Sequence, residues 1–191
     1  MCGRYYIEIE DDELEEIVRE AEKNAQAYAG QITMKTSGEI FPTDVVPVLT
    51  ATRQALPMQW GFGGIQGRSV INARSETAHD KPMFKQAMAT GRCLVPASGY
   101  YEWGPKPGAG KKPKYAFRLP GGPLYLAGCY RMEKDSLVPR FVILTRQAAG
   151  GAEGIHERMP VVLPGGDLDA WLQGGPFLYD TSVTALAWQA V

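Results

Sequence analysis

The chain begins Met1-Cys2-Gly3-Arg4, and its second residue has the most distinctive chemistry in it. If the initiator methionine is removed, Cys2 carries an α-amine and a thiol on adjacent carbons. Their reference pKa values, about 7.7 to 8.0 and about 8.5, make both nucleophiles accessible near neutral pH. An aldehyde would be captured by the amine as an imine, and the thiol would then close on the imine carbon to give a five-membered thiazolidine. An acyl carbon would instead meet a thiol whose base is its own amine, as in N-terminal nucleophile hydrolases. Cys2 alone is equally readable as a small buried strand residue. Three further segments bear on the choice: Ile71-Asn72-Ala73-Arg74-Ser75-Glu76-Thr77, Pro96-Ala97-Ser98-Gly99-Tyr100-Tyr101-Glu102-Trp103 and His156-Glu157-Arg158-Met159-Pro160.

In a strand through Gly99–Trp103, alternation puts Tyr100 and Glu102 on one face and Tyr101 and Trp103 on the other. An inward carboxylate needs partners or proton-transfer work, whereas the same Glu on an edge strand faces water. His156 follows Gly150-Gly151 and Gly154, a loop setting that catalytic residues favour. His79 reads as a surface residue. Asn72 is either a turn cap or an amide that orients the Cys2 amine. Arg4, Arg74, Arg92 and Arg158 place one base in or beside each segment, a pattern suited to an anionic, phosphate-bearing substrate, although each alone is an ordinary salt-bridge residue. Trp60 and Phe62, among Gly61, Gly63 and Gly64, offer rings for a base to stack on or for the core, the core reading being stronger for Phe62.

The positioning elements follow from periodicity. A strand is expected over 3–9, then a helix over 12–29, where Leu14, Ile17, Val18, Ala21, Ala25 and Tyr28 recur at helical spacing, acids fill the first turn and Gly30 follows. Strands are expected at 45–49, 58–62, 92–95, 99–103, 114–118, 124–129, 141–145 and 183–188. Short helices are expected at 81–89 and 167–172, and a Gly/Pro/Lys loop at 105–113. Strands without regular helix alternation predict an α+β fold: one domain over 1–191, a curved, mostly antiparallel sheet or open β-barrel with peripheral helices.

The 191 residues carry a net charge of −1, so no global basic field holds nucleic acid. Nine acids between Glu8 and Glu22 face the single base Arg19, which leaves the remainder basic and a local phosphate cleft allowed. No apolar run reaches the ~18 residues of a membrane span, and the acidic start is unlike a signal peptide. Cys2, Cys93 and Cys129 are widely spaced, which predicts neither disulfides nor structural zinc; Cys2, His79 and His156 lack metal-ligand spacing. A reduced, cytoplasmic setting, no cofactor, no metal and no membrane partner are expected.

Taken in order, the four segments resemble the SRAP family, the SOS-response-associated peptidases or abasic-site-processing proteins, from residue 2 to about residue 172. The resemblance implies a sensor of abasic sites in single-stranded DNA that crosslinks itself to the damage. Cys2 matches the family nucleophile, Asn72 the residue that positions it, Glu102 the acid/base and His156 the group that promotes sugar-ring opening. Arg4, Arg74 and Arg158 match positions that hold DNA phosphates, and Trp60, Arg92, Pro42 and Met83 match further DNA contacts. It also implies self-processing that exposes Cys2; a monomer is expected. The sequence departs from the pattern at Glu39, where many members carry Asn three residues before the proline matching Pro42, and at its early stop at Val191, which predicts a short or missing terminal strand.

Overall fold

The computed structural model describes residues 2–64, 67–175 and 182–191. Fourteen strands and three helices follow one another along these residues. β1 (Arg4–Ile7) runs into α1 (Asp12–Ala25), whose N-terminus is capped by Asp11: one carboxylate oxygen accepts the Glu13 and Leu14 N–H groups at 3.0 and 3.2 Å. The expected helix continues to residue 28 only as a 3-10 turn, Gln26–Tyr28, because Ala29 and Gly30 adopt positive φ and end it. Next come β2 (Gly38–Ile40), β3 (Val45–Leu49), β4 (Ala55–Trp60), β5 (Phe62–Gly63), β6 (Ser69–Val70), β7 (Asn72–Arg74) and α2 (Pro82–Thr90). The second half is β8 (Arg92–Ala97), β9 (Gly99–Trp103), β10 (Lys114–Arg118), β11 (Leu124–Arg131), β12 (Arg140–Gln147), β13 (Arg158–Pro160), α3 (Leu168–Leu172) and β14 (Ala187–Ala190).

Two sheets carry the architecture. The first has the order β14-β10-β9-β1-β2 and is antiparallel throughout. The second runs β11-β8-β3-β4-β12-β13, and β11 pairs with β12 as well as β8, so five of its strands close into a barrel. Its two parallel pairings both involve β12, with β4 and with β7; β5 and β6 form a separate hairpin pair. The predicted α+β, mostly antiparallel and curved architecture is what the chain adopts.

Strand alternation divides the interior in two. Val46, Val48, Cys93, Val95, Leu124 and Leu126 point into a core shared with Tyr5, Trp60, Tyr100 and Phe117. Their neighbours Leu49, Leu94, Ala127 and Cys129 point the other way, against Ile17 and Ala21 of α1, Ala87 of α2 and Trp171 of α3. The helices therefore coat the barrel's outside, and the first sheet covers its inside. Cys2 heads the strand at that inner boundary.

Several elements differ from expectation. Asn72–Arg74, read as a polar run, is a strand, because it pairs parallel with β12 through Ile143↔Asn72. The strand expected at 58–62 begins earlier, at Ala55, and breaks at Gly61, where φ is 115° and an added Cβ would meet the Ser69 side chain at 3.0 Å. The terminal strand is present but lies at Ala187–Ala190, pairing with β10 from Tyr115↔Ala190 to Arg118↔Ala187.

Candidate active site

Cys2 is wholly buried, just ahead of β1. Its Sγ contacts the Arg4 carbonyl at 3.7 Å, and its own carbonyl accepts Nδ2–H of Asn72 at 2.8 Å. β7 makes this second contact possible: pairing with β12 fixes Asn72 opposite Ile143, and the amide reaches back across seventy residues of sequence. The Asn72 Oδ1 is also buried and has no hydrogen-bond partner among the described residues. An amide with one arm committed and the other unused can fix a neighbouring amine.

Glu102 is 4% exposed, on β9, and one of its oxygens accepts the Trp103 N–H at 3.2 Å. The β1–β9 register pairs Tyr5 with Tyr100 and Arg4 with Tyr101, so Tyr100 and Glu102 share the inner face with Tyr5. Both tyrosine rings are wholly buried. Tyr100 stacks on Phe117 at 4.7 Å and Tyr5 tilts against Trp60 at 5.3 Å. Burial, then the negative charge of Glu102, pushes the Cys2 thiol well above its ordinary range. Burial likewise raises both phenols, with Cys2 next in effect on each, and neither hydroxyl has a hydrogen-bond partner among the described residues. Cys2, Asn72, Glu102, Tyr5 and Tyr100 are thus one polar group of side chains in an otherwise apolar core.

The His156 loop is anchored beside β12, the strand that also carries β7. His156 N–H donates to Ala152, Ala148 N–H to Glu157, and β13 pairs with β12 through Thr145↔Pro160. The His156 Nδ1 lies 3.0 Å from the Arg158 N and 3.2 Å from the Arg158 carbonyl oxygen, so the Arg158 backbone holds that edge of the ring.

The family model for SOS response associated peptidase (SRAP) matches residues 1–186. The chain belongs to the SRAP family. An abasic site processing protein of Saccharomyces cerevisiae is 29% identical over 90% of this chain and 55% of its own length, and YedK, an abasic site processing protein of Escherichia coli, is 35% identical over 61% and 54%. The matches thus span about half the length of these curated relatives. A solved phage-related protein from Bordetella bronchiseptica superposes over all of the chain and 94% of its own with a TM-score of 0.75 at 24% identity; one from Bacteroides thetaiotaomicron gives 0.74 at 20%.

The basic residues of this SRAP chain fall in different surroundings. Arg4 lies with its guanidinium 3.9 Å from the Phe41 ring centroid and its Nε 3.4 Å from Glu39. Arg74 is exposed at the end of β7. Arg158 is held by Glu76 through two hydrogen bonds of 2.7 and 2.8 Å and by the Thr145 carbonyl at 2.6 Å; the pairing pulls the Glu76 carboxyl below its usual range. Arg92 is drawn elsewhere: it donates to the Met88 and Gly175 carbonyls and stacks over Trp171, tying α2, β8 and α3 together on the helical side.

Trp60 requires a correction. Read as a ring offered to a base, it is wholly buried, with its Nε1–H bonded to the Ile71 carbonyl at 3.0 Å and its ring against Tyr5 and Phe141. Met83 packs half-buried against the helical core. Pro42 sits in the turn after β2, beside Phe41, which sequence reasoning passed over and which is 40% exposed. The places of Tyr5 and Lys114 beside these groups follow only from pairing partners distant in sequence. Among the described residues, no three His, Cys, Asp or Glu side chains converge on a metal-ion position, and no helix is long and apolar enough to cross a membrane. Met1 lies outside the described residues.

Proposed function

We propose that this chain captures abasic sites in single-stranded DNA as a covalent adduct through Cys2, once Met1 has been removed. The carrying observation is the surroundings of Cys2: a buried residue at the head of β1, its carbonyl held by Asn72, its thiol under the influence of the Glu102 carboxylate. The family membership and the abasic-site names of the relatives support the same substrate.

The amine acts first, because ring closure needs an imine carbon for the sulfur to add to: the freed α-amine attacks the aldehyde carbon of the ring-opened sugar. Glu102 takes a proton from the attacking nitrogen and returns it to the departing hydroxyl, water leaves and an imine forms. Sulfur then adds to the imine carbon, and the thiol proton passes to nitrogen as the thiazolidine closes. One water is lost overall and nothing is oxidised or reduced. Asn72 orients the amine, His156 assists opening of the sugar ring, and Arg4, Arg74 and Arg158 hold flanking phosphates. The protein acts as a monomer, in the cytoplasm, in the DNA damage and SOS response, and removes its own Met1. A cysteine hydrolase is the poorer reading, because the curated relatives are named for abasic sites.

The test is incubation of mature protein with an abasic oligonucleotide, followed by heat and denaturing electrophoresis. A heat-stable adduct is expected, absent with Cys2→Ala. Intact mass of the same sample reports Met1. Mature protein that forms no adduct, or turnover of peptides in trans without one, overturns the reading.

A further inference from the structure

The outer face of the first sheet sets Arg4 beside aromatic rings, a second cation and an acid that no step of the crosslinking chemistry uses. The β1–β9 and β9–β10 registers place Arg4 opposite Tyr101 and Lys114 opposite Trp103, so these four side chains lie on the face away from Tyr5, Tyr100 and Glu102. Lys114 Nζ sits 3.6 Å from the Tyr101 ring centroid and 5.8 Å from that of Trp103, and Arg4 sits over the exposed Phe41. Glu39, on β2 opposite Tyr6, lies among them and spans Arg4 at 3.4 Å and Lys114 at 3.1 Å with its two oxygens. Cations laid on aromatic rings match a single nucleic-acid strand, whose phosphates take the charges and whose bases take the rings. A carboxylate astride both cations is where a phosphate oxygen would sit.

Building on the proposed single-stranded DNA substrate, we propose that this face binds the strand flanking the lesion and that Glu39 is a gate, a carboxylate which DNA phosphate must displace from Arg4 and Lys114. Its effect is to weaken contact with undamaged DNA. Each ion pair is partly exposed, with side chains about 30% accessible, so displacement is cheap enough to occur and costly enough to count. The freed carboxylate recruits a cation on binding, which offsets part of the counterion release that drives association.

The experiment measures fluorescence anisotropy of a labelled, lesion-free oligothymidine, so the result does not depend on Cys2 chemistry. Glu39→Gln is expected to tighten binding about 3- to 10-fold and to steepen the slope of log affinity against log salt by about 0.7. The gain is expected to vanish in Glu39→Gln combined with Lys114→Gln, and to be absent from Glu16→Gln, which makes the same charge change on exposed α1. Unchanged affinity and slope in Glu39→Gln, an equal gain in Glu16→Gln, or a gain that survives loss of Lys114 overturns the gate. Adduct formation with an abasic strand is measured in parallel: its failure in the parent protein sinks the crosslinking reading and leaves the anisotropy result to judge Glu39 separately.

Discussion

Cys2 and Cys93 lie in the same apolar core, both wholly buried, and each has its carbonyl held by a side-chain N–H: Asn72 bonds Cys2 at 2.8 Å and Trp171 bonds Cys93 at 2.9 Å. Burial is the leading cause of a raised thiol in both. The difference lies in what stands next. For Cys2 the next influence is the Glu102 carboxylate, and the amide that holds it keeps an unused oxygen; for Cys93 the next influence is Cys129, and the indole that holds it has no second polar atom. Cys93 also packs tightly, since a Cβ added to Gly128 across the ladder would come within 3.0 Å of its Sγ. Burial thus marks a core cysteine and the proposed nucleophile alike. Polar neighbours of Cys2, the Glu102 carboxylate and the Asn72 amide, separate them.

The sharpest way to break this contrast is substitution of each thiol. Cys2→Ala is expected to abolish the abasic adduct, whereas Cys93→Ala and Cys129→Ala keep it, although all three lose roughly 1 kcal/mol of stability through imperfectly filled space. Adduct yield and thermal melts on the three variants check it, and an adduct that survives Cys2→Ala would erase the distinction. Glu102→Gln keeps the shape of the carboxyl and removes its proton exchange, so adduct formation should slow by about 10²- to 10⁴-fold. Quenched time courses measure it; an unchanged rate would reduce Glu102 to a structural group.

Asn72→Ala is expected to have a smaller effect, because it removes orientation but no proton donor. Losing the hydrogen bond to Cys2 and the free amide oxygen should slow capture by about 10- to 100-fold, in line with one or two polar contacts. The result that would count against a positioning role is a rate loss equal to that of a core cavity elsewhere, such as Cys93→Ala.

How much of this was readable in advance depends on the range of the interactions. The α1 stripe of Leu14, Ile17, Val18 and Ala21, its Asp11 neighbour and the inward pairing of Tyr100 with Glu102 are local patterns, and the chain follows them. Asn72 was recognisable as polar and chemically apt, but its strand exists only through a parallel partner seventy residues away. Trp60 is open between a stacking ring and a core ring on pattern alone, and it is Tyr5 and Phe141, remote in sequence, that close over the ring. Arg92 and Arg158 illustrate the same limit: an arginine's partners, whether Trp171 or Glu76, are decided by topology rather than by spacing.

The smallest expected effect concerns pH and treats the core thiols and the proposed nucleophile alike. Burial holds Cys129 up to about 12 and raises Cys93 and Cys2 as well, while in the unfolded chain each thiol ionises near its ordinary value of about 8.5. A group whose folded value is raised keeps its proton in the native state after the unfolded chain has released one. Its contribution is therefore fully present below about 8.5 and declines as pH climbs towards the folded value. At pH 10 the loss should be about 1 to 2 kcal/mol per thiol, so melting temperature falls between pH 8 and 10. Cys129→Ala should melt lower at pH 7 yet show a shallower alkaline decline than the parent. If the decline is equally steep without Cys129, its thiol is not protected from ionisation, and its resemblance to Cys2 in this one respect is gone.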